Sequence, residues 1–185
     1  MDEVAKSFSK GDQRPLLTFF QDEGVFGRVS NPVRAWAPPR QRPVLPQQRV
    51  REYLYVYSAV SPDTGDSFSL ILPQANQNMM NLFLDEFAKE YKDYRVIIAM
   101  DQAGFHPKEE DQSWENLRFI HQPSRSPEVN PTECFWQYLR ENHFHNKEFD
   151  TLDDLEKEMM EVLAGMKNLK ETVKSMVGFK WSIRT

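Results

Sequence analysis

Two short apolar runs that each close on an aspartate constrain this chain more than any other feature. Arg95-Val-Ile-Ile-Ala-Met-Asp101 has no polar alternation inside it, the pattern of a strand buried on both faces near the middle of a sheet. Leu16-Leu-Thr-Phe-Phe-Gln-Asp22 is built the same way and is followed by Gly24, so it is predicted to be a buried strand stopped by a carboxylate and a turn. A carboxylate at the end of such a strand is held by the sheet and still reaches solvent. Two of them on neighbouring strands repel, which raises one pKa unless a cation neutralises the pair. Mg²⁺ or Mn²⁺, hard ions that bind a few carboxylates together with water and phosphate oxygens, suit that place. Taken singly, each aspartate also has a plain explanation, because aspartate commonly opens turns.

The remaining pattern supplies the layers around these strands. Val50 to Val60 alternates, with Tyr53, Tyr55 and Tyr57 on one face and Leu54 and Val56 on the other. Pro62-Asp-Thr-Gly65 is a turn signal, and Ser67 to Leu72 is the returning strand of a hairpin. Asn76 is placed to cap a helix whose core stripe is Met80, Phe83, Leu84, Phe87 and Tyr91. A short strand is predicted at Leu117 to His121, then helices from about Pro131 to His143, from Leu152 to Met166 behind the cap Thr151, and from Leu169 to Val177. This order predicts an α/β fold, a mixed five-stranded sheet flanked by helices, in one domain. Residues 1–14 form a polar lead-in, 15–150 the main body, and 151–185 closing helices of the same domain.

Charge is uneven along the 185 residues. The net charge of -5 and pI near 5.4 argue against a nucleic-acid partner, but the stretch from about 28 to 51 holds six arginines (28, 34, 40, 42, 49 and 51) and no acid. It also carries five of the twelve prolines and reads as an irregular insertion. A phosphate backbone responds to such a local patch rather than to net charge, although solvated loops explain the same composition. No apolar run approaches the roughly 20 residues needed to cross a bilayer, and residues 1–14 lack a signal-peptide core. The single cysteine, Cys134, excludes an internal disulfide and paired-cysteine zinc sites, and fits a reducing cytoplasm.

Glu133 has a local reading of its own. In Asn130-Pro-Thr-Glu133 the asparagine is an N-cap, proline fits the first helical position and glutamate falls at the third, close to a capping box. That pattern accounts for Glu133 without any chemistry, yet it puts the carboxylate at the positive end of a helix.

The combination is more specific than its parts. FFQDEGVFG, the tyrosine-rich hairpin, MDQAGFH and PSRSPEVNPTECFW together closely resemble the mariner-type transposases, most of all their bacterial insertion-sequence branch. The resemblance spans roughly Leu16 to Asn142 and implies a DDE-type endonuclease domain of ribonuclease-H-like fold. It implies that Asp22, Asp101 and Glu133 are the catalytic, metal-holding acids, with Mg²⁺ (or Mn²⁺), two ions in all, driving phosphodiester cleavage and strand transfer. Between Asp101 and Glu133 lie 31 residues, slightly fewer than the family usually has. Arg125 also stands where the family usually has an aromatic residue. His106 matches the family's histidine and is a near-site candidate, with an ordinary hydrogen-bonded histidine as the alternative. Arg28, Arg34, Trp36, Arg40, Arg42 and Arg125 are the candidate DNA contacts. Glu23 is expected to turn away from Asp22's face into a supporting or solvent role, and Glu128 to be a surface residue. The implied partners are element-end and target DNA, typically at a TA dinucleotide, with a homodimer as the active form. A bacterial, cytoplasmic, nucleoid-associated protein is the corresponding expectation. About fifteen residues precede the first strand, which leaves no helix-turn-helix module for recognising element ends. A silent remnant acting as a DNA-binding or dimerisation module, or a purely hydrolytic nuclease, are the alternatives.

Overall fold

The computed structural model describes residues 2–9, 11–29, 37–41, 48–124 and 126–179. Arg95–Met100 forms a strand whose apolar side chains are buried throughout, because it has a neighbour on each edge and helices over both faces. In chain order the elements are α1 (Asp2–Ala5), β1 (Leu16–Val29), β2 (Arg49–Val60), β3 (Ser67–Leu72), α2 (Gln77–Glu90), β4 (Arg95–Met100), β5 (Leu117–His121), α3 (Thr132–Leu139), α4 (Leu152–Asn168) and α5 (Lys170–Val177). The sheet order is β3-β2-β1-β4-β5. β1, β4 and β5 are parallel, while β2 is antiparallel to both β1 and β3. The expected mixed five-stranded sheet flanked by helices is present.

Alternation along β1 sends successive phenylalanines to opposite faces, and each seeds one core. Phe19 packs with Tyr57, Val96, Ile98, Phe119 and the α2 stripe Met80, Phe83, Leu84 and Phe87. Phe20 and Phe26 pack with Phe135, Trp136 and Leu139 of α3, Met159 and Met166 of α4, and Val173 and Val177 of α5. Thr151 caps α4 as expected: its Oγ1 accepts from the Asp154 N–H at 3.1 Å, and the Asp154 carboxylate accepts from the Thr151 N–H at 3.0 Å. Thr151→Ala is expected to cost about 1 kcal/mol. Calorimetry should show this as a fall in Tm of roughly 3 °C.

Two elements depart from the sequence-based expectation. β1 does not stop at Asp22; it continues to Val29, paired with β2 through Asp22↔Ser58, Gly24↔Val56 and Gly27↔Tyr53. Gly24, which read as a turn, is there for close approach instead, and so is Gly27. A Cβ on Gly24 would lie 3.0 Å from the Trp136 ring, and one on Gly27 would lie 2.4 Å from Tyr53 Cδ1. The helix expected from about Pro131 to His143 is α-helical only as far as Leu139. It then widens into a π-turn over Arg140–Phe144, closed by the His145 N–H donating to the Arg140 carbonyl at 2.8 Å.

Candidate active site

The parallel pairing of β1 with β4 runs as far as Phe20↔Ala99, and beyond it β1 follows β2. A crevice results at the carboxyl end of β4, where β1 diverges from it, the kind of place where open α/β sheets hold their ligands. The start of α3 docks onto the β1 side of it. Thr132 Oγ1 donates to the Phe20 carbonyl at 3.0 Å and Asn130 Nδ2 to the Gln21 carbonyl at 3.4 Å, so this helix end bonds the β1 backbone where its pairing with β4 ends. Asn130 Oδ1 also accepts from the Thr132 N–H at 3.2 Å. Gln122 secures the loop before the helix: its N–H donates to the Met100 carbonyl at 2.8 Å and its Nε2 to the Val129 carbonyl at 2.9 Å. The outcome is one cavity of about 120 Å³ lined by Asp22, Asp101, Gln122, Pro123, Ser126, Asn130 and Glu133. Its three acids come from β1, the end of β4 and the first turn of α3.

The two aspartates sit in opposite surroundings. Asp22 is tucked beneath α3, where Trp136 Nε1 donates to its Oδ2 at 3.0 Å. Burial pushes its pKa up to about 7; the indole bond opposes this, and the negative charges of Glu23 and Glu133 add to it. The Asp101 side chain is 59% exposed, and its Oδ1 accepts from the Ala103 N–H at 2.9 Å. Beneath it lies His106, with a side chain 1% exposed. Nδ1 of His106 is 2.9 Å from both the carbonyl and the Oδ1 of Asp101, while Nε2 is 3.2 Å from the Glu23 carboxylate. Both ring nitrogens face acceptors, which suits the doubly protonated imidazolium. Burial works against that charge, but the Glu23 carboxylate and Asp101 outweigh it and hold the pKa above the usual histidine value.

With this geometry in place, comparison with known proteins is decisive on family. A model of the DDE superfamily endonuclease matches residues 18–156, which takes in the whole crevice. This chain belongs to the DDE superfamily of endonucleases. Sinorhizobium fredii (strain NBRC 101917 / NGR234) has a relative, the uncharacterized protein y4pE/y4sA, 33% identical over 104 residues that make up 56% of this chain and 77% of the relative. Among solved structures, the Mos1 strand transfer complex matches with a TM-score of 0.60 at 16% identity, covering 86% of this chain and 53% of the other. The Mos1 mariner paired end complex with Mn gives 0.61 at 13% identity, again over 86% and 53%. The Mos1 transposase paired-end complex with left transposon end gives 0.60 at 14%, over 96% and 59%. At such identities the likeness is one of fold, and the fold is ribonuclease-H-like. The DDE chain described here spans a little over half the length of those Mos1 chains.

In this DDE domain the three expected acids line one cavity, and His106 lies directly under Asp101. Among the described residues no three His, Cys, Asp or Glu side chains are gathered closely enough to hold a metal ion as they stand. The donor chemistry nevertheless fits a divalent ion: three carboxylates share one small cavity, and burial together with the neighbouring negative charges disfavours the ionised form of the deepest one, which a cation would stabilise. Glu133 does not complete a capping box. The Asn130 side chain satisfies the Thr132 N–H, and no described residue donates a hydrogen bond to the Glu133 carboxylate.

Of the candidate DNA contacts, Arg34, Trp36, Arg42 and Arg125 lie outside the described residues. Arg40 is exposed, with φ of 69°. Arg28 is engaged within the fold, its guanidinium bonding Glu52 at 2.5 Å, the Phe149 carbonyl at 2.9 Å and the Asp150 carbonyl. Trp136, Gln122, Thr132 and the Glu23–His106 bond were not singled out from the sequence. Only Trp136 had a usable signal there, since it sits three residues after Glu133 and so shares its helix face.

Proposed function

We propose that this chain is the catalytic core of a DNA transposase, cleaving phosphodiesters and joining strands with Asp22, Asp101 and Glu133 as its catalytic acids. The observation that carries this reading is that these acids, from three separate parts of the sequence, line one cavity beside the point where β1 parts from the carboxyl end of β4. Mg²⁺, with Mn²⁺ as a substitute and two ions in all, would be held by the three carboxylates and would supply charge neutralisation and activation of the attacking oxygen. The chain's own share is positional. Asp101 offers an exposed carboxylate at the mouth of the cavity, oriented by Ala103 and His106. Asp22 forms the deep wall, and Glu133 enters from the first turn of α3. In the reaction, a water oxygen or a DNA 3′-hydroxyl gives up its proton and attacks phosphorus in line, a new P–O bond forms, and the opposite P–O bond breaks to release an alkoxide that takes up a proton. The partners on this reading are element-end DNA and target DNA, at TA dinucleotides, with a homodimer as the working form. Support for a DNA partner comes from the Mos1 structures, which are paired-end and strand transfer complexes.

Incubation with pre-cut element-end DNA, a target plasmid and Mn²⁺ or Mg²⁺ tests the reading. The expected result is a joined product that disappears when the metal is chelated. Nicking without joining would reduce the function to hydrolysis, and no metal-dependent change in either DNA would overturn the proposal.

A further inference from the structure

We propose that Trp136 is the positioning residue for Asp22, fixing the deep carboxylate of the cavity from the same helix that carries Glu133. The inference rests on the catalytic reading above and concerns a residue outside its acidic set. Trp136 and Glu133 are three residues apart on α3 and so share a face. One face therefore delivers both an acid to the cavity and a clamp to the acid opposite. The clamp is the Nε1–H bond to Asp22 Oδ2 at 3.0 Å.

The indole has little room to turn away. Its residue is 1% exposed, its ring lies against the bare backbone of Gly24, and Phe26 and Phe135 pack beside it with ring centroids 5.9 Å and 5.6 Å away. Gly24 is the enabling residue, since a Cβ there would come within 3.0 Å of two indole carbons. The chemistry of the donor matters as much as its place. An indole N–H only donates, so it orients a carboxylate oxygen without competing for it as a ligand. Being neutral, it leaves the full negative charge of Asp22 for a cation, where lysine or arginine would cancel it. Partners that orient a metal-binding carboxylate in this way typically contribute 10- to 100-fold in metal affinity. A purely structural tryptophan would also need an acceptor for its buried N–H. The two roles differ in what happens when the N–H alone is removed.

The decisive variant replaces Trp136 with 3-benzothienylalanine, which keeps the shape of the indole and substitutes sulfur for the N–H. Trp136→Phe is the genetically simple companion. Mn²⁺ binding is followed by the electron paramagnetic resonance of the free ion, alongside Tm and strand joining, for both variants, wild type and Asp101→Asn. The expected result for the isostere is a Tm close to that of wild type, Mn²⁺ affinity lower by about 10-fold, and joining that recovers at raised Mn²⁺. Trp136→Phe should show at least as large a loss of affinity. Unchanged Mn²⁺ affinity in the isostere, while Asp101→Asn loses binding, would overturn the positioning role and leave the metal site standing. Equal Mn²⁺ binding by wild type and Asp101→Asn would overturn the metal site itself, and this inference with it.

Discussion

Asp101→Asn is expected to lower metal-dependent cleavage and joining by about 10³-fold or more, a barrier increase of roughly 4 kcal/mol. The substitution removes the charge that faces His106 Nδ1, and the His106 ring keeps its contacts with the Asp101 carbonyl and the Glu23 carboxylate. The Asp101 side chain is 59% exposed, and the asparagine oxygen can still accept from the Ala103 N–H, so Tm should stay within a few degrees of wild type. Glu133→Gln is expected to behave alike, because no described residue bonds its carboxylate and the fold does not depend on it. The measurement is the initial rate on element-end DNA at saturating Mg²⁺ or Mn²⁺, with Tm as the control. A rate within tenfold of wild type for Asp101→Asn would remove that residue from the site.

The second large effect is on stability and depends on pH. Asp22 has its pKa raised from 3.8 to about 7 in the folded chain. Between those values the folded state binds more protons than the unfolded one, so stability falls as pH rises. The decline from this group begins above about 4 and is complete once pH has passed about 7, amounting to as much as roughly 4 kcal/mol. His106 acts in the same direction, since its pKa is also raised on folding: its contribution is full below the ordinary histidine value and lost above the raised one. The metal-free protein is therefore expected to lose stability steadily between about pH 5 and 8. Asp22→Asn should flatten most of that slope and be the more stable protein at pH 8, because the amide oxygen can still accept from Trp136 and carries no charge. Saturating Mg²⁺ should raise the Tm of wild type at pH 8 and leave the variant nearly unmoved. Thermal unfolding across this pH range, with and without Mg²⁺, measures all three. A wild-type curve that rises from pH 5 to 8 without metal would show that the buried carboxylate is compensated by something else.

How much of this was legible in the sequence varied with whether a residue's role was local. β4 was readable because burial on both faces leaves an unbroken apolar run, and α2 because its stripe recurs at helical spacing. Asp101 followed from β4. Asp22 was marked as a candidate, but its place within the strand was not: Gly24 imitates a turn, and it is there to admit Trp136. That contact joins residues more than a hundred positions apart, which no periodicity reports. Glu133 showed the reverse problem. Its local pattern offered a complete helix-capping account; the folded helix keeps the expected Asn130 contact, while the Glu133 carboxylate receives no bond from a described residue and lines the cavity instead. Glu23 was correctly turned away from Asp22, but its bond to His106 spans 83 positions and closes only when the strands assemble.

Arg28 and Gln48 stand at the two feet of the arginine- and proline-rich insertion, and both hold the same residue. The Phe149 carbonyl accepts from Arg28 Nε at 2.9 Å and from Gln48 Nε2 at 2.7 Å, while the Phe149 N–H donates to Gln48 Oε1 at 3.2 Å. A segment whose ends are riveted to one point is, in evolutionary terms, an interchangeable cassette. Doubling its length changes the closure entropy by only about 0.6 kcal/mol, so the insertion can grow, shrink or be exchanged without disturbing the sheet.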